Sequence, residues 1–258
     1  HDICYTRRGA RKHLATNGLG SGFSRAEALL HATCEYVERH ALRLAELFLA
    51  NPGGLGPPPY AFVDLATTSP RITELVARLA RGGAVVRALD VTSDVRIPTY
   101  LATIIRDGKR ADGHAAHPDP ETAIEMALLE AAQTISCVAA GGREDLSIHA
   151  RSLGRHERPR PISVADAWFW LDPDADQRPL DPAAGFRGDD LRDELRWCLA
   201  QLRAAGVPQV IAVDLGVPAI APAHVVRVLI PGLESNNPFY TGARARLVLL
   251  RDLLPRWR

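Results

Sequence analysis

The chain of 258 residues has one methionine and only two lysines, Lys12 and Lys109, and aromatic residues make up 6% of it. Its 31 basic residues nearly balance 30 acidic ones, so no global basic field exists to attract nucleic acid or an acidic membrane surface. Any anion must be held locally. No apolar run approaches the ~20 residues needed to span a bilayer, and no secretory signal pattern is visible. The four cysteines, Cys4, Cys34, Cys137 and Cys198, include no CxxC pair. That spacing argues against a zinc knuckle or a disulfide framework and fits buried thiols in a reducing cytoplasm. A Walker loop is missing as well, since no Gly-Lys-Ser/Thr occurs, and a dinucleotide fingerprint would need glycine where Phe23 stands. The chain starts at His1 rather than methionine, which leads us to expect further sequence upstream.

What is present is a 47% hydrophobic fraction, ample for a packed core. "NGLGSG" (17–22) reads as a glycine-rich turn opening onto a helix, in which Ser24 and Glu27 form a capping box and apolar residues recur from Leu29 to Ala45 toward Ala50. After "NPGGLGPPP", "YAFVDLA" reads as a strand. Ser69-Pro70 starts a second helix that Gly82-Gly83 stops. "AVVRALDV" and "IPTYLATII" are expected strands, the latter ending at Asp107-Gly108. Asp119-Pro120 then caps a helix from Glu121 to about Ala139. The polar stretch from Ser147 to Pro161 reads as a flexible loop, "DDLRDELRWCLAQLRAAG" as an amphipathic helix, and "QVIAVDL" and "HVVRVLIPG" as strands. The class is α/β or mixed α+β, with mixed sheets and long helices.

Two helices carry the candidate chemistry. On the first, Glu35, Glu38 and Arg39 fall at i, i+3 and i+4, which brings their heads to one flank. By periodicity alone the same spacing reads first as a solvated face with an internal Glu–Arg pair. On the later helix Glu130 shares a flank with Gln133 amid the nearly apolar "MALLEAAQTISCVAA". An unpaired buried carboxylate costs several kcal/mol, so Glu130 calls for an arginine or a metal. If the two helices face each other, three carboxylates converge as hard oxygen ligands suited to Mg²⁺ and its bound phosphates. Arg39 and Arg143 in "GGREDL" can add two-point hydrogen bonds to phosphoryl oxygens, and the opening glycines would allow close backbone approach to a nucleotide.

These residues resemble a known family. "TNGLGSGFSRAEALLHATCEYVERHAL" is similar to the opening signature of YcaO proteins. "VTSDVRIPTYLATI", "GHAAHPDPETAIEMALLEAAQ", "GGREDL" and "HVVRVLIPGLE" resemble later blocks of the same family in the same order, from about Thr16 to Glu234. The resemblance implies a single YcaO-type catalytic domain over 1–258 and an ATP- and Mg²⁺-dependent enzyme. Such an enzyme phosphorylates a peptide-backbone amide oxygen and installs an azoline, thioamide or amidine in a ribosomally made peptide. It implies Glu35, Glu38 and Glu130 as the Mg²⁺-phosphate carboxylates, Ser21 beside the nucleotide, and Gln133, Arg39 and Arg143 in the ATP site. Glu234 matches the late turn. The pattern departs from the family at Phe23, usually asparagine, at His40, usually aspartate, and at Ile135, often arginine. Azoline-forming members often end in a proline-rich tail, whereas this chain ends "LLPRWR"; that fits the type acting with a TfuA-like partner and an external sulfur donor.

Other expected partners are the precursor peptide and a leader-peptide-binding protein, and a homodimer is one arrangement open to the chain. His114 and His117 lack any zinc spacing and read as satisfied surface or loop residues. His31 reads as a packing or supporting residue, and Cys34 points away from the carboxylate flank. "RSLGRHERPR" reads as a solvated loop or a contact for an acidic leader. Two rival readings remain: a catalytically degenerate peptide-binding subunit, and a ligase-like ATP enzyme working through an acyl phosphate.

Overall fold

The computed structural model describes residues 16–49, 60–106, 109–139, 172, 175–217, 221–234 and 242. The chain divides into two compact units, one of residues His1–Arg43 with Gly188–Arg258 and one of Leu44–Arg187. Their elements are helices and mixed sheets, the class expected from the sequence.

In the first unit a three-stranded antiparallel sheet has the order β1 (Leu19–Gly22), β8 (His224–Leu229), β7 (Ile211–Asp214). The stretch "NGLGSG" is therefore mostly strand, and only Asn17-Gly18 turns. Two glycines in four residues disfavour a strand, yet here the backbone must come close to its helix. A Cβ on Gly20 would lie 2.3 Å from the Ala28 carbonyl oxygen and 2.6 Å from the Ala32 nitrogen. The glycines we expected to approach a nucleotide thus serve in part to seat β1 on α1 (Arg25–Leu49).

Helix α1 begins as the capping pattern predicts. The Glu27 N–H donates to Ser24 Oγ at 3.1 Å, and the Glu27 carboxylate reaches back to accept from Phe23 N–H at 2.8 Å. Its buried stripe includes Ala28, Leu30, Ala32, Val37 and Ala41. Helix α4 (Leu191–Ala204) starts on Asp190, whose side chain accepts from Arg192 N–H, and buries Cys198 and Leu202.

The second unit is built on a five-stranded sheet ordered β5 (Lys109–Ala116), β4 (Thr99–Arg106), β3 (Val85–Asp90), β2 (Phe62–Asp64), β6 (Gln177–Pro179). Its pairings are antiparallel except β2 with β6. Strand β5 was not expected from sequence. Helices α2 (Pro70–Leu79) and α3 (Pro120–Ala139) share with one sheet face a core that contains Ile72, Ala88, Tyr100, Ala102, Ile124, Ala127 and Leu128. Alternation along the strands sends every second residue to that face.

Candidate active site

Each unit fixes a glutamate by the same means. In the first, Glu35 projects from the middle of α1 toward the start of β1, where the N–H of Gly18 donates a short hydrogen bond to its Oε2. Gly18 adopts φ +76°, a conformation open to glycine at little cost. A Cβ there would also strike the Val228 carbonyl oxygen at 2.1 Å.

Glu38 and Arg39 join Glu35 on this flank as the spacing predicts. Arg39 Nε lies 3.7 Å from Glu35 Oε1 and 3.6 Å from Glu38 Oε1. The flank is not a solvated face: Glu38 is buried, Glu35 half-buried, and Arg39 Nε is shielded from solvent with no hydrogen-bond partner among the described residues. Burial pushes the Glu35 carboxyl above its ordinary range. The Gly18 N–H and the Arg39 charge pull it back in part, while neighbouring Glu38 pushes it further up. Two carboxylates on one helix flank, one buried and one half-buried, present hard oxygen donors of the kind a divalent cation takes. The donor set therefore fits Mg²⁺.

In the second unit Glu130 projects from α3 toward β5. The His114 N–H donates to Glu130 Oε2 at 2.7 Å, and His114 Nδ1 lies 3.2 Å from the same oxygen. Close packing makes this possible, because a Cβ on Gly113 would sit 2.2 Å from the Ala131 nitrogen and 2.3 Å from the Ala127 carbonyl oxygen. His114, expected as a satisfied surface or loop residue, is thus a strand residue whose partner is a candidate ligand. Its spacing to Glu130 carries no sequence signal. Gln133, one turn on, is exposed. Within either unit, among the described residues, no three His, Cys, Asp or Glu side chains form a group that could hold a metal ion by themselves.

The remaining candidates fall into supporting places. Ser21 is exposed on β1, and its carbonyl oxygen lies 3.1 Å from His31 Nδ1, so His31 ties α1 to that strand. His40 is fully buried and accepts through Nδ1 from the Glu234 N–H at 3.0 Å, and Glu234 accepts from the Gly242 N–H at 2.7 Å. The histidine that departs from the family pattern thus braces the late turn. His117 accepts from the Asp119 N–H at 3.1 Å at the start of α3. Cys34 hydrogen-bonds Cys198, and this contact together with burial pushes its thiol well above the ordinary range, as for an inert structural cysteine. Arg143, "GGREDL" and the stretch from Ser147 to Pro161 lie outside the described residues.

Comparison with known proteins places this geometry. The model of the family described as YcaO cyclodehydratase, ATP- and Mg²⁺-binding, matches residues 2–234, which cover parts of both units. An uncharacterized protein in the tfuA 3' region of Rhizobium leguminosarum bv. trifolii is 32% identical over 246 residues, which are 90% of this chain and 56% of that protein. An uncharacterized protein of Methanothermobacter thermautotrophicus is 35% identical over 243 residues, 90% of this chain and 59% of that protein. The chain therefore spans little more than half the length of these relatives. Among solved structures, YcaO from Methanopyrus kandleri bound with AMPPCP and Mg²⁺ superposes with a TM-score of 0.64 at 24% identity, over 90% of this chain and 59% of that one. The heterocyclase TruD gives 0.68 at 24% identity, over 94% of this chain and 32% of that one. These two likenesses concern the fold. With the family match running across almost the whole chain, the protein belongs to the ATP- and Mg²⁺-binding YcaO cyclodehydratase family.

Proposed function

We propose that the chain is an ATP- and Mg²⁺-dependent enzyme that activates a backbone amide of a ribosomally made peptide and installs a thioamide. The observation that carries this reading is the pairing of half-buried Glu35 with buried Glu38 beside Arg39 on one helix flank, within the region the family model matches. In this reading Glu35, Glu38 and Glu130 hold Mg²⁺ against the phosphates. Ser21, Arg39, Gln133 and Arg143 surround the nucleotide, and residues 1–258 act as one catalytic domain. ATP supplies the phosphoryl group that turns the amide oxygen into a leaving group. The oxygen departs as phosphate when hydrosulfide adds to the carbon, so one C–O bond breaks as one C–S bond forms. The protein's share is placement and charge neutralisation. Backbone N–H groups from Gly18 and His114 fix two carboxylates before a ligand arrives, and Arg39 balances charge on the first flank.

Sulfur as the incoming atom, with a TfuA-like protein as partner, is supported by the Rhizobium relative described by its place beside tfuA. The same activated amide would give an azoline if a neighbouring cysteine, serine or threonine side chain attacked instead. Incubation with a candidate precursor peptide, ATP, Mg²⁺ and sulfide tests the reading. Peptide-dependent ADP release with oxygen-for-sulfur exchange in the mass spectrum supports it, and loss of water supports ring formation. Peptide binding without nucleotide turnover would identify a peptide-binding subunit instead.

A further inference from the structure

The second unit holds a cleft of about 330 Å³ that includes none of the residues assigned above; it is lined among others by Tyr60, Asp90, Thr92, Tyr100, Arg178 and Asp181. Its size falls at the lower end for small-ligand sites. Asp90 on β3 pairs in register with Tyr100 on β4, and paired residues project to the same face of a sheet. Asp181 arrives from the turn after β6.

We propose that this cleft binds a guanidinium or ammonium group, as carried by a basic side chain of a peptide. The first support is Tyr100. It is 2% exposed, lines the cleft, and its hydroxyl has no hydrogen-bond partner among the described residues. Buried phenols normally find a partner, so this one points to a ligand. The second is the placement of the acids. Asp90 Oδ1 accepts from Thr92 N–H and Asp181 Oδ1 from Ala183 N–H, both at 2.9 Å, which leaves the second oxygen of each without a partner among the described residues.

Holding these turns would need only a neutral asparagine or serine. Asp90 is half-buried and Asp181 exposed at the rim, and together they give the mouth of the cleft a negative charge that a cation complements. Burial first, then Asp90, Asp181 and Asp119, push the phenol upward, which keeps it a neutral hydroxyl. The one lining cation, Arg178, already forks onto Asp176 at 3.1 Å through Nε and 2.8 Å through Nη2. A multi-donor cation against two carboxylate oxygens and a phenol oxygen gives each of them a charge-assisted contact. This site does not depend on the amide chemistry proposed above.

Calorimetric titration of the full chain with N-acetylarginine methylamide tests it, with the citrulline counterpart as a neutral isostere. The arginine compound is expected to bind and the citrulline compound to bind at least tenfold more weakly. Asp181→Asn should weaken arginine binding about tenfold, as loss of a charge-assisted contact implies. Tyr100→Phe, which keeps the ring and therefore the core packing, should weaken it severalfold. Ethylguanidine in a parallel titration separates sources: equal affinity marks a small free guanidine, and preference for the capped residue marks a peptide side chain. Equal binding of arginine and citrulline compounds, no binding of either, or unchanged affinity in a folded Asp90→Asn/Asp181→Asn variant would overturn the proposal.

Discussion

Replacing Gly113 by alanine probes how the second unit holds Glu130. The added methyl would lie 2.2 Å from the Ala131 nitrogen, 2.3 Å from the Ala127 carbonyl oxygen and 2.7 Å from the Glu130 carbonyl carbon. All three are helix backbone, which cannot swing aside as a flexible side chain would, so β5 and α3 must separate. Overpacking of a tight core costs about 1–3 kcal/mol, and with unyielding neighbours the upper end applies. Separation also stretches the 2.7 Å bond from His114 N–H to Glu130, a contact to a charged group worth roughly 1.5–3 kcal/mol. The sum is roughly 4.5–6 kcal/mol, which with an m-value of about 2–3 kcal/mol/M shifts the urea midpoint by roughly 1.5–3 M. Urea unfolding followed by circular dichroism reads that term. Calorimetric titration with Mg-ATP reads the second consequence, an affinity about tenfold weaker as Glu130 loses its set position. An unchanged midpoint would refute the packing argument. A lowered midpoint with unchanged nucleotide affinity would remove Glu130 from the proposed ligand set.

Further perturbations address the first unit. Glu38→Gln keeps shape and removes charge; we expect Mg-ATP affinity to fall at least a hundredfold by calorimetry with the melting temperature little changed, and retained affinity would dismiss the carboxylate cluster as a magnesium site. Gly20→Ala drives a methyl into the backbone of α1 at Ala28 and Ala32 and should cost about 2–3 kcal/mol, read as a lower urea midpoint. His40→Ala leaves the Glu234 N–H without its acceptor in a fully buried position and should destabilise by about 2–4 kcal/mol; His40→Asn, which can still accept, should recover part of that. In a Cys4→Ser/Cys137→Ser background, Cys34 and Cys198 should be silent to a thiol reagent in the native protein and react fully in urea, because both are buried. Fast labelling of the native protein would contradict that packing.

What the sequence disclosed follows from which forces are local. Helix α1 was legible because its cap and its apolar stripe lie within a few residues of each other, and Ser69-Pro70 and Asp119-Pro120 marked the next two helices for the same reason. Strand β1 was not legible. "LGSG" has no strand propensity, and it is a strand because β8 pairs with it and α1 accepts its glycine backbone. Strand β5, "KRADGHAA", lacks β-branched and aromatic residues and forms through a full ladder with β4; tertiary pairing overrides propensity in both cases. At the candidate site, the i, i+3, i+4 pattern correctly grouped Glu35, Glu38 and Arg39. Whether that flank faced water depended on burial by residues distant in sequence, which periodicity does not record.

The two glutamate anchors share a construction that no sequence period reveals. In each unit a strand precedes a helix, a glycine in the strand removes the side chain that would keep the two apart, and a backbone N–H donates to a glutamate on the helix, from the turn just before β1 in the first unit and from within β5 in the second. Gly18 is 17 residues before Glu35, and His114 is 16 before Glu130. The surrounding residues differ, since β1 alternates exposed and buried positions in the three-stranded sheet while β5 belongs to the larger sheet. What the pairs have in common is mechanical: a carboxylate tied to main chain keeps its direction without any ligand. A carboxylate free to rotate would lose rotamer entropy each time it gripped a cation, whereas these have already lost it on folding. The glycines at 18 and 113 therefore bear on ligand affinity although neither carries a side chain, and they are the positions at which a conservative change should reach the proposed metal site from outside it.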